Sequence, residues 1–141
     1  MKIVLDTNVL VSGLLNSNGK PAEALNLALS GAAQICYNDS IVREYAEVLA
    51  RSRFKFDPAR VAEVLSKLTI DGIHVDASAY AQLNLPDPDD AMFLAVALAG
   101  QADHLVTGNL VHFPAEKRRD CSVITPGEFL NLWNSKRNST E

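Results

Sequence analysis

The chain has 141 residues, 48% of them hydrophobic and 21% charged, with a formal net charge of −4. This length predicts one domain whose core needs no disulfides or structural metal, and the composition excludes a disordered or fibrous protein. The charge excludes binding of nucleic acid through a broad basic surface, so any such partner must be held by local basic clusters or through metal ions.

Short β-prone segments alternate with helical segments along the chain. The predicted strands cover 2–5, 34–37, 73–75, 104–107 and 122–125, and the predicted helices lie near 21–30, 40–50, 58–69, 88–99 and 126–134. We therefore expect one α/β domain over 1–134, a three-layer α/β/α sandwich around a mostly parallel sheet of about five strands. A polar tail over 135–141 is expected to fray. The longest apolar run, 91–100, is too short to span a bilayer, so we expect a cytoplasmic protein without membrane contact.

The first predicted strand is followed directly by Asp6, Thr7 and Asn8. An unbroken apolar run is typical of a buried parallel strand, and open α/β sheets hold their active sites at the carboxyl ends of such strands. Asp6 is therefore either a catalytic acid or the N-cap of a helix. Other acids that reach the same edge decide between these interpretations.

The predicted helix over 40–50 contains the second candidate acid. With a cap at Asn38 or Asp39, its apolar residues fall on one face, Glu44 lies at the border of that face, and Glu47 points away from it. Burial of an unpaired carboxylate is costly. Glu44 is thus either an edge acid paired with an arginine or a metal ligand that faces the sheet edge.

Three aspartates open the predicted helix over 88–99. Asp87 is placed as its N-cap, and Asp89 and Asp90 lie in the first turn, where the helix dipole favours anions. The rest of this helix is apolar on all sides and must be buried. Because capping alone does not explain so much negative charge beside a buried helix, we expect a cation there, with Asp90 facing inward and Asp89 facing solvent.

The fourth predicted strand also ends in polar residues, Thr107 and Asn109. If the strands are parallel, Asp6, Glu44 and Asp90 reach the same edge, which we call the acidic rim. Mg²⁺ and Mn²⁺ prefer a few carboxylates together with water and substrate phosphate. The histidines and cysteines lack the spacing of a zinc site.

The sulfur and imidazole groups are interpreted mainly as structural. Cys36 and Cys121 lie in apolar, β-prone segments and are expected to be buried free thiols. His74 and His104 lie in or beside predicted strands and are expected to be structural. His112 is either a general acid or a structural loop residue.

In order, the chain contains LDTNVLVSGLL, EYAEVLARSRF, PDPDDAMFLAVALAGQADHLVTGN and HFP. On these four segments it resembles the PIN-domain ribonucleases over nearly its whole length, in particular the VapC-type toxins of toxin–antitoxin pairs. The resemblance implies that Asp6, Glu44 and Asp90 bind Mg²⁺ or Mn²⁺, and that the metal activates a water to cleave single-stranded or structured RNA. Asp87 is then an added ligand or a group that supports the ligands.

The chain departs from the PIN pattern at Asn109, where many PIN domains have a further aspartate. The amide is able to ligate through its carbonyl oxygen but adds no charge, so a second metal ion has less to hold it. Thr107 and Asn109 are expected to orient a water or a carboxylate by hydrogen bonding, with Asn8 in a supporting role. The resemblance also implies a cognate antitoxin and a homodimer.

Two basic clusters flank the acidic rim. They consist of Arg51, Arg53 and Lys55, interleaved with Phe54 and Phe56, and of Lys117, Arg118 and Arg119. Each cluster either holds a single strand of RNA by phosphate contacts and base stacking or forms an ordinary solvated surface.

Two alternative functions are considered. One is a catalytically inactive PIN-like scaffold that binds metal or protein, motivated by Asn109. The other is a receiver-type phosphoacceptor signalling domain, which has a similar size and alternation. A receiver is expected to have an acid pair after the first strand and a lysine after the fifth, whereas here Thr7 and Asn8 follow Asp6 and Pro126 follows the fifth strand.

Overall fold

Five short strands and six α-helices lie within residues 1–139, which are the residues that the computed structural model describes. The elements are β1 (Lys2–Leu5), α1 (Thr7–Leu15), α2 (Lys20–Leu29), β2 (Gln34–Tyr37), α3 (Asp39–Leu49), α4 (Pro58–Asp71), β3 (Ile73–His74), α5 (Ala91–Ala99), β4 (His104–Val106), β5 (Val123–Ile124) and α6 (Pro126–Ser139). Single 3-10 turns lie at Ser52–Phe54, Ser78–Tyr80, Pro88–Asp90, Leu110–His112 and Ala115–Lys117.

The strands form one sheet in the order β3-β2-β1-β4-β5, and every neighbouring pair is parallel. In this sheet Ile3 pairs with Ile35, and Leu5 pairs with Val106. The chain builds outward from β1 to β3 and then returns to add β4 on the other side of β1. The crevice beyond the carboxyl ends of β1 and β4 is therefore the place where such sheets bind ligands.

Helices cover the sheet as the sequence predicts. Helix α5 contacts β1, β2 and β4, and α3 packs beside it. Helix α4 contacts β2, α6 contacts β4, and α2 contacts both of these helices. The predicted three-layer α/β/α fold is confirmed, with the sheet all-parallel. The apolar helix α5 is buried from Phe93 to Ala97, as its sequence requires.

Helix α1 is absent from the sequence prediction. It begins at Thr7, directly after β1, so no loop separates strand from helix. Gly13 within it lowers the intrinsic helix propensity. That glycine serves a close approach to α2, since a Cβ atom there would lie 3.2 Å from both the Leu25 side chain and the Pro21 carbonyl oxygen.

The C-terminal helix differs from its prediction. Helix α6 continues to Ser139 and so takes in residues 135–139 of the expected tail, while 140 and 141 lie outside the described residues. Both cysteines are free; Cys36 is buried, whereas Cys121 is only half-buried. No helix within residues 1–139 has the length and apolar character needed to cross a bilayer.

Candidate functional site

Asp6 and Thr107 meet where β1 and β4 end. Asp6 is 5% exposed and Thr107 is fully buried. The Thr107 hydroxyl donates a hydrogen bond to Asp6 Oδ2 over 2.8 Å, and Asn8 Nδ2 donates to the same oxygen over 3.2 Å. The structure therefore brings together three of the residues expected at this edge, with one oxygen of Asp6 held by two donors.

Asp6 does not act as a helix cap. It occupies the N-cap position of α1, but its side chain makes no capping hydrogen bond. The carboxylate faces Thr107 instead. Of the two interpretations open at the sequence level, the structure supports an acid presented at the sheet edge.

Asp90 lies at the end of the 3-10 turn that leads into α5 and is 8% exposed, whereas Asp89 is exposed, as expected. Its Oδ2 lies 3.0 Å from His112 Nδ1, at ion-pair distance. The contact is not aligned as a hydrogen bond, so Oδ2 is buried without a hydrogen-bond partner. Asp87 is exposed, and its side chain caps the 3-10 turn by accepting from the Asp89 backbone N–H over 3.0 Å.

Glu44 is half-buried on α3, and Glu47 is exposed, as the helical pattern predicts. The Thr7 hydroxyl donates to Glu44 Oε2, and Glu44 forms no ion pair within residues 1–139. The structure thus shows no arginine paired with Glu44 among the described residues. Next to it, the Tyr45 hydroxyl donates to the carbonyl oxygen of Leu5, which ties α3 to the end of β1.

The acids of this site disfavour one another's ionised forms. Burial raises the pKa of Asp6, the hydrogen bond from Thr107 opposes the rise, and the charge of Glu44 adds to it. The pKa of Asp90 is raised from 3.8 to about 6, chiefly by burial and next by the charge of Asp6, while His112 opposes the rise. Perturbed carboxyl groups at the carboxyl edge of a parallel sheet are typical of a functional site.

The donor set suits a hard divalent cation. Such ions take carboxylate oxygens, and a cation would offset the repulsion between Asp6 and Asp90. It would also give the buried Oδ2 of Asp90 a partner, which native buried polar atoms nearly always have. With the side chains as they stand, no group of three or more His, Cys, Asp or Glu within residues 1–139 is arranged to hold a metal ion. Glu44 is engaged by Thr7.

Sequence reasoning missed two features of the site. His112 contacts Asp90 through Nδ1 and Asn109 Nδ2 through Nε2, the latter over 2.9 Å. Asn109 and His112 lie three residues apart just after the fourth predicted strand, and this spacing was the available signal for their contact. Thr7 was expected only as a polar residue after the first strand, yet it holds Glu44. In contrast, His74 pairs with Asp39 outside the acidic rim.

The basic clusters behave differently from each other. In the first, Arg51 lines a cleft of about 380 Å³ that also includes Glu44. Arg43, which the sequence analysis assigned no role, lines the same cleft. Arg53 lies over the Phe54 ring at 4.8 Å.

Phe54 and Phe56 stack with ring centroids 5.6 Å apart. In the second cluster, Arg118 Nε donates to the Phe113 carbonyl oxygen over 2.6 Å, a contact that fixes the loop. Lys117 and Arg119 are exposed.

Comparison with known proteins places this geometry in context. A family model described as PIN domain matches residues 2–111. No curated protein matches the chain in sequence. The structure is similar to FitAB bound to an IR36 DNA fragment, with a TM-score of 0.64 and 20% identity, over 88% of this chain and 94% of that chain.

It is also similar to VapBC2 from Rickettsia felis bound to a DNA fragment from their promoter, with a TM-score of 0.59 and 17% identity, over 89% of this chain and 98% of that chain. For FitAcB from Neisseria gonorrhoeae the TM-score is 0.55 and the identity 20%, over 89% and 98% of the two chains. At these identities the likeness establishes a shared fold.

Proposed function

Because the chain belongs to the PIN domain family, we propose that it is a divalent-metal-dependent endoribonuclease that cleaves single-stranded RNA. The main supporting observation is the pair of buried acids, Asp6 and Asp90, at the switch point of a parallel sheet. Their charges oppose each other, and one buried oxygen lacks a hydrogen bond. A site of this kind favours a cation and, through the cation, a phosphodiester.

Each residue has a defined part in this proposal. Bound Mg²⁺ or Mn²⁺ supplies a water of lowered pKa and offsets charge on the phosphate. Asp6 and Asp90 would hold the ion, with Glu44 as the third carboxylate beside them. Thr107 and Asn8 fix the orientation of Asp6 by donating to its Oδ2. No covalent nucleophile is required.

RNA binding is proposed for the cleft beside Glu44. Arg43 and Arg51 line this cleft beside the acids Glu44, Glu47 and Asp89. Neither arginine forms an ion pair within residues 1–139, so both charges are available to phosphates. The stacked Phe54 and Phe56 offer a surface for unpaired bases. Local cations of this kind are needed because the net charge of the chain is −4.

The nuclease proposal is tested by incubating the protein with a labelled single-stranded RNA and Mn²⁺, with and without EDTA. Asp6→Asn is compared with Asp120→Asn, a matched change at an exposed aspartate. We expect cleavage by the native protein and by Asp120→Asn, no cleavage in EDTA, and a loss of at least about 100-fold in Asp6→Asn. Cleavage that survives chelation or the Asp6 substitution would contradict the proposal.

We also propose that the chain is the toxin of a toxin–antitoxin pair, acts as a homodimer in the cytoplasm and is inhibited by a cognate antitoxin that covers the acidic rim. The resemblance to VapC-type toxins supports this, and the similar FitAB and VapBC2 structures are DNA-bound complexes. Induced expression should stop bacterial growth, while Asp6→Asn should not. Co-expression of the neighbouring open reading frame should restore growth. Unaffected growth would rule out the toxin role without affecting the nuclease proposal.

The second candidate function is an inactive PIN-like scaffold. Asn109, which brings no charge where many PIN domains have an aspartate, favours it. Mn²⁺ binding without RNA cleavage would support this scaffold. The receiver-type alternative is set aside because the chain is a PIN domain.

A further inference from the structure

One short loop contacts both buried acids of the site. Thr107, at its start, donates to Asp6 Oδ2. His112, at its end, lies 3.0 Å from Asp90 Oδ2 through Nδ1. Between them, the Asn109 backbone N–H donates to the Thr107 hydroxyl oxygen over 3.0 Å, and its side-chain Nδ2 contacts His112 Nε2 at 2.9 Å. Asn109 therefore links the residue that holds Asp6 to the residue that faces Asp90.

The Asn109 contact determines how the imidazole of His112 is used. An amide nitrogen only donates, so Nε2 accepts, and the hydrogen of the neutral ring lies on Nδ1. That hydrogen is on the side of the ring facing Asp90 Oδ2, and a small rotation would align it. Nε2 accepts from Asn109 and Nδ1 lies against Asp90, which leaves neither nitrogen for a leaving group of a substrate. This geometry argues against His112 as the general acid.

We propose that His112, oriented by Asn109, is the positioning residue for Asp90. It contacts Oδ2 and so fixes the rotation of the carboxylate that would face the cation. The inference rests on the proposed function in requiring that Asp90 bind a divalent ion. This role requires the amide of Asn109, because a carboxylate at the same position has no hydrogen to donate to His112 Nε2.

The test measures Mn²⁺ binding by calorimetry, without RNA, for the native protein and three variants. His112→Ala removes the Nδ1 donor. His112→Asn keeps an N–H donor near the position of Nδ1. His74→Ala is the matched control, because His74 is also exposed in part and paired with an aspartate, Asp39, outside the acidic rim. Thermal melting in EDTA verifies that each variant is folded.

We expect His112→Ala to weaken Mn²⁺ binding by about 10- to 100-fold, the usual effect of losing a group that orients a ligand. His112→Asn should remain within about threefold of the native protein, and His74→Ala should be unchanged. Native affinity in His112→Ala, or an equal loss in His112→Asn, would overturn the positioning role alone. Failure of the native protein to bind Mn²⁺ would overturn both this inference and the metal dependence in the proposed function, whereas binding without RNA cleavage would overturn only the nuclease activity.

Discussion

The substitution Asp90→Asn should stabilise the metal-free protein and at the same time abolish its response to Mn²⁺. Burial, together with the charge of Asp6, raises the pKa of Asp90 from 3.8 to about 6, so the folded state holds this proton more tightly than the unfolded chain does. Ionisation of Asp90 therefore leaves the free energy of unfolding unchanged below about pH 4 and lowers it increasingly as the pH rises towards 6. Above pH 6 the loss of unfolding free energy is constant. At about 1.4 kcal/mol per pKa unit the upper limit is about 3 kcal/mol, and screening by solvent and nearby charges lowers it to about 1–2 kcal/mol.

This prediction is measured by urea and thermal unfolding in EDTA at pH 7.5 and pH 4. At pH 7.5 we expect Asp90→Asn to gain about 1–2 kcal/mol, or about 3–8 °C in Tm, with the gain shrinking towards zero at pH 4. Asp89→Asn, at the exposed neighbouring residue, should change neither value. Mn²⁺ should raise the Tm of the native protein and leave that of Asp90→Asn unchanged. A less stable Asp90→Asn at pH 7.5 would refute the reasoning that burial of the charge destabilises the metal-free site.

Three further outcomes follow from the same contacts. Mn²⁺ affinity of the native protein, measured by calorimetry, should fall about tenfold from pH 7.5 to pH 5, because protons compete with the ion at Asp90 and Asp6. A constant affinity would contradict the assignment of these two aspartates as metal ligands. Thr107→Val should lower the free energy of unfolding in urea by about 1–3 kcal/mol, since it removes one of the two donors to Asp6 Oδ2 and leaves the Asn109 backbone N–H without its acceptor. Thr107→Ser should retain native stability, and equal losses in the two variants would point to packing instead. Replacing Arg43 and Arg51 together by alanine should raise KM for RNA several-fold and flatten its salt dependence, with Mn²⁺ affinity unaltered; an unchanged KM would exclude this cleft as the RNA site.

The fold could be predicted from the sequence because the main elements have strong local patterns. The apolar segment of α5 has no polar face and can only be buried, and the alternation of strands with helices leaves a parallel sheet as the simplest arrangement. Helix α1 was not predicted, because Gly13 lowers the helix propensity of the segment and because no loop marks where the helix begins. The reason for that glycine is the tertiary contact with α2, which local sequence does not reveal.

The acidic residues of the site could be predicted from the sequence, as the main elements of the fold could. Asp6 and Asp90 are found by asking which acids follow a strand or open a buried helix. Their hydrogen-bond partners are less accessible to such reasoning, because the contacts of Thr7 with Glu44 and of His112 with Asp90 join segments far apart in the chain. Side-chain orientation within a loop depends on packing that a sequence pattern does not encode.

Anomalous diffraction from crystals of the native protein grown with Mn²⁺ tests the proposal that Asp6 and Asp90 together hold a divalent cation. We expect a manganese peak with an oxygen of each carboxylate as a ligand, and no such peak in crystals of Asp90→Asn. Saturating Mn²⁺ that leaves no peak between these two acids, or a peak that persists in Asp90→Asn, would contradict it.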